Sequence, residues 1–279
     1  MNIYCGKCNK ELEMKQSHFI RRLAVAVCLL LAIAGGCASV ADHTSPSWLD
    51  GKDVVWVPTP EELVDTMLDM AKVTSSDYVI DLGSGDGRIV IGAAKRGATA
   101  LGIEYNPKLV EIARRAAVKE GVAAKATFKK GDIFESDFSK ATVITMFLLS
   151  DLNLKLRPVI LDMKPGTRVV SNEFDMGDWR PDQTRVLTEG DIGWTTAHLW
   201  IVPAQIDGTW QLDNGQVSFI QNFQNVTGTL TTMGKNVELT GKLVGDTISF
   251  NAGNRKYTGK VSGDTIFGTH RGGSWKATR

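Results

Sequence analysis

The segment Val79–Arg88 (VIDLGSGDGR) constrains the fold of this 279-residue chain more than any other. An apolar run typical of a buried strand leads directly into Gly83, Gly85 and Gly87, and then into a sequence that favours a helix. Because glycine lacks a side chain, such a turn can adopt positive φ angles and let its backbone approach a ligand closely. The segment therefore predicts a strand, turn and helix of an α/β sheet, with a ligand at the turn.

Alternating strand and helix patterns extend this unit over residues 53–203. The predicted strands are Tyr78–Leu82, Ala100–Glu104, Ala126–Lys130, Thr142–Leu148, Arg168–Phe174, Thr184–Leu187 and Thr196–Val202. The predicted helices are Glu61–Lys72, Gly87–Arg96, Pro107–Glu120 and Leu152–Met163. Such alternation indicates a Rossmann-like α/β domain, with a mostly parallel seven-stranded sheet covered by helices on both faces.

Residues 206–279 have a different texture, with short alternating runs separated by Gly, Asn and Asp and no convincing helix. Leu239–Ile248 is repeated 18 residues later as Tyr257–Ile266, and each copy reads as two strands around a Gly-Asp turn. We therefore expect a second, smaller all-β domain, a β-meander or half-barrel, with Trp210 and Trp275 closing its core.

Acidic side chains distinguish the glycine loop from a dinucleotide site. Asp81 and Asp86 surround the loop, and its third glycine comes one residue earlier than in the Gly-x-Gly-x-x-Gly pattern that binds pyrophosphate. This environment repels phosphate and suits a cation such as a sulfonium amino acid. Glu104 ends the next strand and can accept hydrogen bonds from both ribose hydroxyls. After the third strand, Asp132 can accept the adenine amino group while the apolar Ile133 covers the ring.

These three elements, in this order and spacing, resemble the class I S-adenosylmethionine-dependent methyltransferases, with a nicotinamide enzyme or an inactive binder as alternatives. With Val57–Pro60, Gly102–Val110, Phe174 and Trp179, they resemble the protein-lysine N-methyltransferases of mitochondrial membranes and their bacterial relatives over residues 53–180. The resemblance implies a seven-stranded methyltransferase sheet and S-adenosylmethionine as the cofactor. The candidate cofactor residues are Thr59, Asp81, Gly83, Ser84, Gly85, Asp86, Gly87, Glu104, Asn106, Asp132 and Ile133.

The residues at the end of the fourth strand indicate which class of methyl acceptor the site suits. Met146–Asp151 lacks the Asn/Asp-Pro-Pro-Tyr motif of enzymes that methylate exocyclic base amines or glutamine, and its apolar residues suit a lysine side chain. Methyl transfer can rely on alignment and desolvation without a dedicated base. Asp151, Asp175 and Trp179 are the candidate catalytic residues, and no metal site is predicted.

The chain's overall charge argues against a nucleic-acid partner, since 32 basic and 31 acidic residues leave a formal net charge of only +1. The predicted substrate is a protein lysine, and a small molecule or a lipid is the alternative. A further alternative makes the β-rich region an envelope binding module beside a vestigial methyltransferase fold. Pro58–Pro60 would either help to close the cofactor site or form a stiff start to the first helix.

Residues 1–37 are interpreted as a leader. The apolar stretch Leu23–Gly36 has 14 residues, too few for a membrane span of roughly 20 but typical of a signal peptide. It precedes Cys37 as in bacterial lipoproteins, which predicts export or lipid attachment in the cell envelope. Membrane anchoring with a cytoplasmic catalytic domain is the alternative. Residues 38–52 are interpreted as a linker. Cys5 and Cys8 have the spacing of half a zinc knuckle, but no second ligand pair follows.

Overall fold

The computed structural model describes residues 52–187 and 193–279. The leader, the Cys5 and Cys8 pair and the linker up to residue 51 lie outside these described residues. Within the two described ranges, no helix combines the length and the apolar character needed to cross a membrane.

Seven strands form one sheet, as predicted. They are β1 (Tyr78–Leu82), β2 (Thr99–Glu104), β3 (Ala126–Lys130), β4 (Val143–Met146), β5 (Arg168–Asn172), β6 (Gln183–Val186) and β7 (Thr196–Ile201). Their order across the sheet is β3-β2-β1-β4-β5-β7-β6, and β7 runs antiparallel to both of its neighbours. The amino-terminal end of β7 therefore lies at the same edge of the sheet as the carboxyl ends of β1 to β5.

Helices cover both faces of this sheet. They are α1 (Glu61–Met70), α2 (Arg88–Lys95), α3 (Pro107–Lys119) and α4 (Ser150–Leu161). The first three helices share one buried apolar cluster with Val79 of β1, whereas α4 packs into a second cluster with the adjacent Ile80. Successive side chains of a strand point to opposite faces, so these two neighbours face opposite cores. This arrangement confirms the predicted α/β fold.

The carboxyl-terminal region forms a closed, up-and-down barrel of eight strands. They are β8 (Gly208–Leu212), β9 (Gly215–Asn222), β10 (Asn225–Thr232), β11 (Lys235–Val244), β12 (Thr247–Ala252), β13 (Arg255–Ser262), β14 (Thr265–His270) and β15 (Gly273–Thr278). The repeated segments form hairpins whose turns place Gly245 and Gly263 at positive φ. The predicted all-β domain is confirmed, and its successive strands pair as a meander; the barrel is complete rather than half, because β15 pairs with β8.

The sheet and the barrel pack together in one compact unit. The Lys242 ammonium lies 2.8 Å from the Asp182 carboxylate, and the side chain of Gln224 donates a hydrogen bond to the carbonyl of Arg180. Phe223 stacks on Trp179, with ring centroids 5.9 Å apart. The barrel therefore contacts the segment between β5 and β6.

Candidate active site

The glycine loop after β1 has the backbone conformation that its sequence predicts. Gly83, Gly85 and Gly87 all adopt positive φ, at 80°, 52° and 84°. A Cβ atom at Gly87 would lie 2.6 Å from the ring of Phe128, so this site requires glycine for space as well as for conformation. Backbone amides of the loop donate to the carbonyl of Ile103, which ties the loop to the end of β2.

Glu104 stands at the carboxyl end of β2 and is buried. Its Oε2 accepts a hydrogen bond of 2.9 Å from the amide of Gly85, and its Oε1 accepts one of 2.8 Å from the amide of Asn106. Each carboxylate oxygen has two lone pairs, so both oxygens keep capacity for a further donor. Glu104 is thus oriented by the backbone and can still accept two hydroxyl groups.

Asp81 is the most strongly perturbed acid of the site. Burial, together with the nearby carboxylates of Glu104 and Asp86, raises the pKa of Asp81 to about 7, opposed by a hydrogen bond from Thr145. That bond joins Thr145 Oγ1 to Asp81 Oδ1 at 2.7 Å. Because a neighbouring cation favours the ionised form of a carboxyl, the site is prepared to gain a positive ligand.

Asp132 and Ile133 follow β3 and reach the same edge of the sheet. Asp132 accepts a hydrogen bond of 2.9 Å from the amide of Phe134 and forms an ion pair with Lys52. The hydrogen bond from Lys52 holds the pKa of Asp132 below its ordinary value. In this structure, the acid predicted to contact adenine is therefore paired with the segment that precedes α1.

That preceding segment, residues 52–60, crosses the mouth of the site. The indole of Trp56 lies against the glycine loop, since a Cβ atom at Gly85 would be 2.1 Å from its Nε1. Arg88 forms an ion pair with Asp86 and donates a hydrogen bond of 2.7 Å to the carbonyl of Thr59. Arg88 thus fastens the segment to the glycine loop.

A cavity with about 870 Å³ of empty space, which includes open solvent at its mouth, runs along this edge of the sheet. Its wall includes the candidate cofactor residues Thr59, Asp81, Gly83, Ser84, Asp86, Glu104, Asp132 and Ile133. The other three candidates do not line the cavity and instead hold neighbouring backbone or side chains in place. Gly85 lies against Trp56, Gly87 caps α2, and Asn106 caps α3 by accepting a hydrogen bond from the amide of Lys108.

The candidate catalytic residues are not brought together. Asp151 is exposed in the first turn of α4, and Asp175 accepts a hydrogen bond from the amide of Gly177. Trp179 is fully buried between Trp200 and Phe223, away from the cavity wall. Its surroundings are those of a packing residue at the junction with the barrel. Across the two described ranges, no group of three or more metal-binding side chains is present.

The residues of the cavity fit S-adenosylmethionine. Asp81 and Asp86 supply negative charge for a sulfonium and an ammonium group, and Glu104 retains acceptor capacity for a ribose. Ser84 Oγ is buried at the cavity wall without a hydrogen-bond partner among the described residues. A buried hydroxyl of this kind indicates that a polar ligand completes the site.

Several residues of the site escaped the sequence analysis because nothing local identifies them. Trp56, Arg88 and Thr145 act through partners distant in the chain, as does a group of rings formed by Phe147, Phe174 and Trp194. Of these, Phe147 was considered only as part of the apolar end of the fourth strand, Phe174 only through the resemblance, and Arg88 only as the end of the glycine motif.

Comparison with curated proteins reveals close relatives. The ANTKMT methyltransferase domain model matches residues 81–183. A protein-lysine N-methyltransferase of Saccharolobus islandicus is 44% identical over 152 residues, which cover 53% of this chain and 94% of that protein. A human lysine N-methyltransferase, named for a component of ATP synthase, is 36% identical over 50% of this chain. The chain spans 59% of that human relative's length.

Comparison with solved structures supports the same class. The structure is similar to that of an RNA methyltransferase from Salinibacter ruber in complex with S-adenosyl-L-homocysteine, with a TM-score of 0.50 and 49% identity. The match covers 54% of this chain and 96% of the other. The predicted cofactor, S-adenosylmethionine, is thereby confirmed. Given the extent of the Saccharolobus match, this chain belongs to the S-adenosylmethionine-dependent protein-lysine N-methyltransferase family.

Proposed function

We propose that this enzyme methylates the side-chain amine of lysine residues in a protein. The observation that carries the proposal is the acidic cavity around Asp81 and Glu104, which continues into apolar and aromatic residues, Phe147, Leu148 and Leu152, after β4. An acidic region suits the cationic cofactor, and an apolar region suits the four methylene groups of lysine. The named activities of the relatives support the same acceptor.

In this mechanism the glycine loop and Glu104 would hold the cofactor, which would supply a methyl group on a positively charged sulfur. Asp81 would balance that charge together with Asp86, which also pairs with Arg88. Asp132 would accept from the adenine amino group after release from Lys52. Thr59 and Ile133 bound the cavity, and Ser84 offers its unpaired hydroxyl.

Of the residues after β4, the aliphatic Leu148 and Leu152 strip water from the acceptor amine, which favours loss of its proton and leaves the neutral form, whose lone pair is the nucleophile. Alignment then supplies most of the catalysis, so no dedicated base is required. The proton left on the methylated amine is released to solvent at the open mouth of the cavity.

A labelling experiment tests this function. The full chain is incubated with S-adenosylmethionine carrying a labelled methyl group and with envelope and cytosolic fractions, after which protein, RNA and lipid are separated. Label should follow protein and appear as methyl-lysine after hydrolysis. Label in RNA, the acceptor named for the Salinibacter relative, or in lipid would overturn the proposal.

A pair of variants tests the cofactor site within the same experiment. Glu104→Ala removes both oriented acceptor oxygens and should weaken cofactor binding by at least about 100-fold, since hydrogen bonds to a charged group contribute about 1.5–3 kcal/mol each. Glu111→Ala is the matched control, because Glu111 lies exposed on α3 and forms only a surface pair with Arg115. Calorimetric titration should show wild-type affinity for the control, and equal affinity of both variants would refute the assigned site.

We also propose that the leader, residues 1–37, directs the protein to the cell envelope. The apolar Leu23–Gly36 stretch before Cys37 supports this location. A reporter that is active only outside the cytoplasm, fused after Asp42, should be active. An inactive fusion would instead favour a catalytic domain that stays in the cytoplasm.

A further inference from the structure

Three aromatic rings meet beside the cavity, although their residues are far apart in the chain. Phe147 follows β4, Phe174 follows β5 and Trp194 precedes β7. Their centroids are 5.7 to 6.2 Å apart, with Trp194 edge-on to Phe147. We call Phe147, Phe174 and Trp194 the ring triad. The strand order explains the meeting, because these three strand ends share one edge of the sheet.

The ring triad borders the cofactor cavity through Phe147 and reaches solvent through Trp194. Phe147 lines the cavity together with Leu148, which packs close to Gly83 of the loop. At the other side, Trp194 is 41% exposed, which is unusual for so large an apolar ring. The triad therefore adjoins the cavity on one side and solvent on the other.

The backbone around the triad is held in conformations that cost free energy. Glu173 and Trp194 are non-glycine residues with φ of 62° and 73°. Such residues concentrate at functional sites, where the surrounding structure enforces them. Here, the amide of Glu173 donates a hydrogen bond of 2.7 Å to the carbonyl of Thr196, which ties the two strand ends together.

A buried side chain of α4 fixes the position of Phe174. Asn153 is fully buried, and its Nδ2 donates to the carbonyls of Phe174 and Asp175 at 3.0 and 3.1 Å. Ser171 Oγ donates a third hydrogen bond, of 2.7 Å, to the same Phe174 carbonyl. Two polar side chains in an otherwise apolar layer thus hold the backbone that carries one ring of the triad.

Three acidic residues lie near the triad in the chain or on the same edge of the sheet. Glu173 and Asp175 flank Phe174 in the chain, and Asp151 lies at the start of α4 on the same edge. Aromatic faces attract an ammonium group through their quadrupoles and accommodate methylene groups equally well. A lysine side chain has both parts.

We propose that the ring triad is the binding site for the acceptor lysine, with Asn153 as the residue that positions Phe174. This proposal rests on the lysine activity proposed above. Replacing a ring by leucine keeps an apolar side chain but removes the attraction for the ammonium. The expected consequence is weaker acceptor binding with unchanged cofactor binding.

The test measures acceptor and cofactor separately in the full chain. Trp194→Leu and Phe174→Leu should each raise the KM for a lysine substrate about tenfold, whereas Phe174→Tyr should remain close to wild type. Affinity for S-adenosyl-L-homocysteine, measured by calorimetry, should be unchanged and reports an intact fold. The matched control is Phe267→Leu, because Phe267 is an exposed ring on the outer surface of the barrel.

A second variant tests the positioning role of Asn153. Asn153→Ala should raise the KM for the acceptor with little change in affinity for S-adenosyl-L-homocysteine. If the leucine variants methylate lysine with wild-type KM, the acceptor site lies elsewhere and the lysine activity stands. If wild type transfers no methyl group to lysine while cofactor binding persists, the proposed function itself fails.

Discussion

The sheet and the barrel differ in how they fill their interiors. The barrel is packed with large apolar side chains such as Trp210, Phe219 and Phe250, all essentially without solvent contact. The sheet keeps a cavity at one edge and buries two acids there, Asp81 and Glu104. Burying a carboxyl group without a cation is costly, so its presence marks the region that awaits a charged ligand.

This difference indicates where the chemistry takes place. A barrel whose interior is full of side chains offers no internal site for a small ligand. The alternative hypothesis, in which the β-rich region is the binding module and the methyltransferase fold is vestigial, is therefore not favoured. The side chains that fit a ligand belong to the sheet. The contribution of the barrel must come through its outer surface or through its packing on the segment between β5 and β6.

The largest expected effect is a loss of stability caused by creating a cavity in the barrel core. Trp210→Ala removes a fully buried ring whose Nε1 donates a hydrogen bond of 2.8 Å to the carbonyl of Ile206. Loss of such a ring should lower the free energy of unfolding by about 3–5 kcal/mol. Denaturant titration followed by circular dichroism measures this change.

The same variant shows whether the barrel supports the active site. If the two interiors are independent, Trp210→Ala will bind S-adenosylmethionine with wild-type affinity at low temperature. Phe267→Ala, on the exposed surface of the barrel, is the control and should change stability by less than about 0.5 kcal/mol. Loss of cofactor binding in folded Trp210→Ala protein would contradict the independence of the two regions.

Local sequence patterns were sufficient to predict the strands and the cofactor-binding half of the site. Val79 and Ile80 lie in a continuous apolar run, and the glycines and Glu104 occur at spacings set by one strand, turn and helix. Such features depend on neighbours in the chain. Barrel closure depends instead on β15 meeting β8, and a meander and a closed barrel share the same local pattern.

The acceptor half of the site was predicted only in part, for the same reason. The apolar end of the fourth strand was expected to suit a lysine side chain, but the ring triad was not predicted. Phe147, Phe174 and Trp194 come from three separate strand ends, and only the order of strands in the sheet brings them together. Trp179 became a catalytic candidate through the resemblance, and packing on Phe223 of the barrel buries it. Contacts between residues far apart in the chain determine both the position of the three rings and the burial of Trp179.

A smaller effect is expected on the pH dependence of cofactor binding. With a pKa near 7, Asp81 is largely protonated at pH 6 and ionised at pH 8. Because the cationic cofactor favours the ionised form, its dissociation constant should fall about tenfold between these pH values. Calorimetric titration across this range measures the slope, and Asp81→Asn should bind weakly with a flat profile.

Two further measurements identify Asp81 as the group responsible. Thr145→Val removes the hydrogen bond that lowers the pKa of Asp81, so its binding profile should move to higher pH. Without ligand, protonated Asp81 favours the folded state. This contribution is full below the ordinary aspartate pKa of 3.8 and is lost as the pH rises through about 7. A wild-type profile in Thr145→Val would assign the titration to another group.

The smallest expected effect concerns the ion pair that joins the two regions. Lys242→Met removes a half-exposed ammonium from the nearly buried Asp182, whose other oxygen still accepts a hydrogen bond from the amide of Ile201. Partial exposure screens the pair, so stability should fall by no more than about 1 kcal/mol. Lys260→Met is the matched control, because its pair with Asp246 lies on the exposed surface of the barrel. A larger loss in Lys242→Met, accompanied by a raised acceptor KM, would show that barrel packing controls the acceptor side of the site.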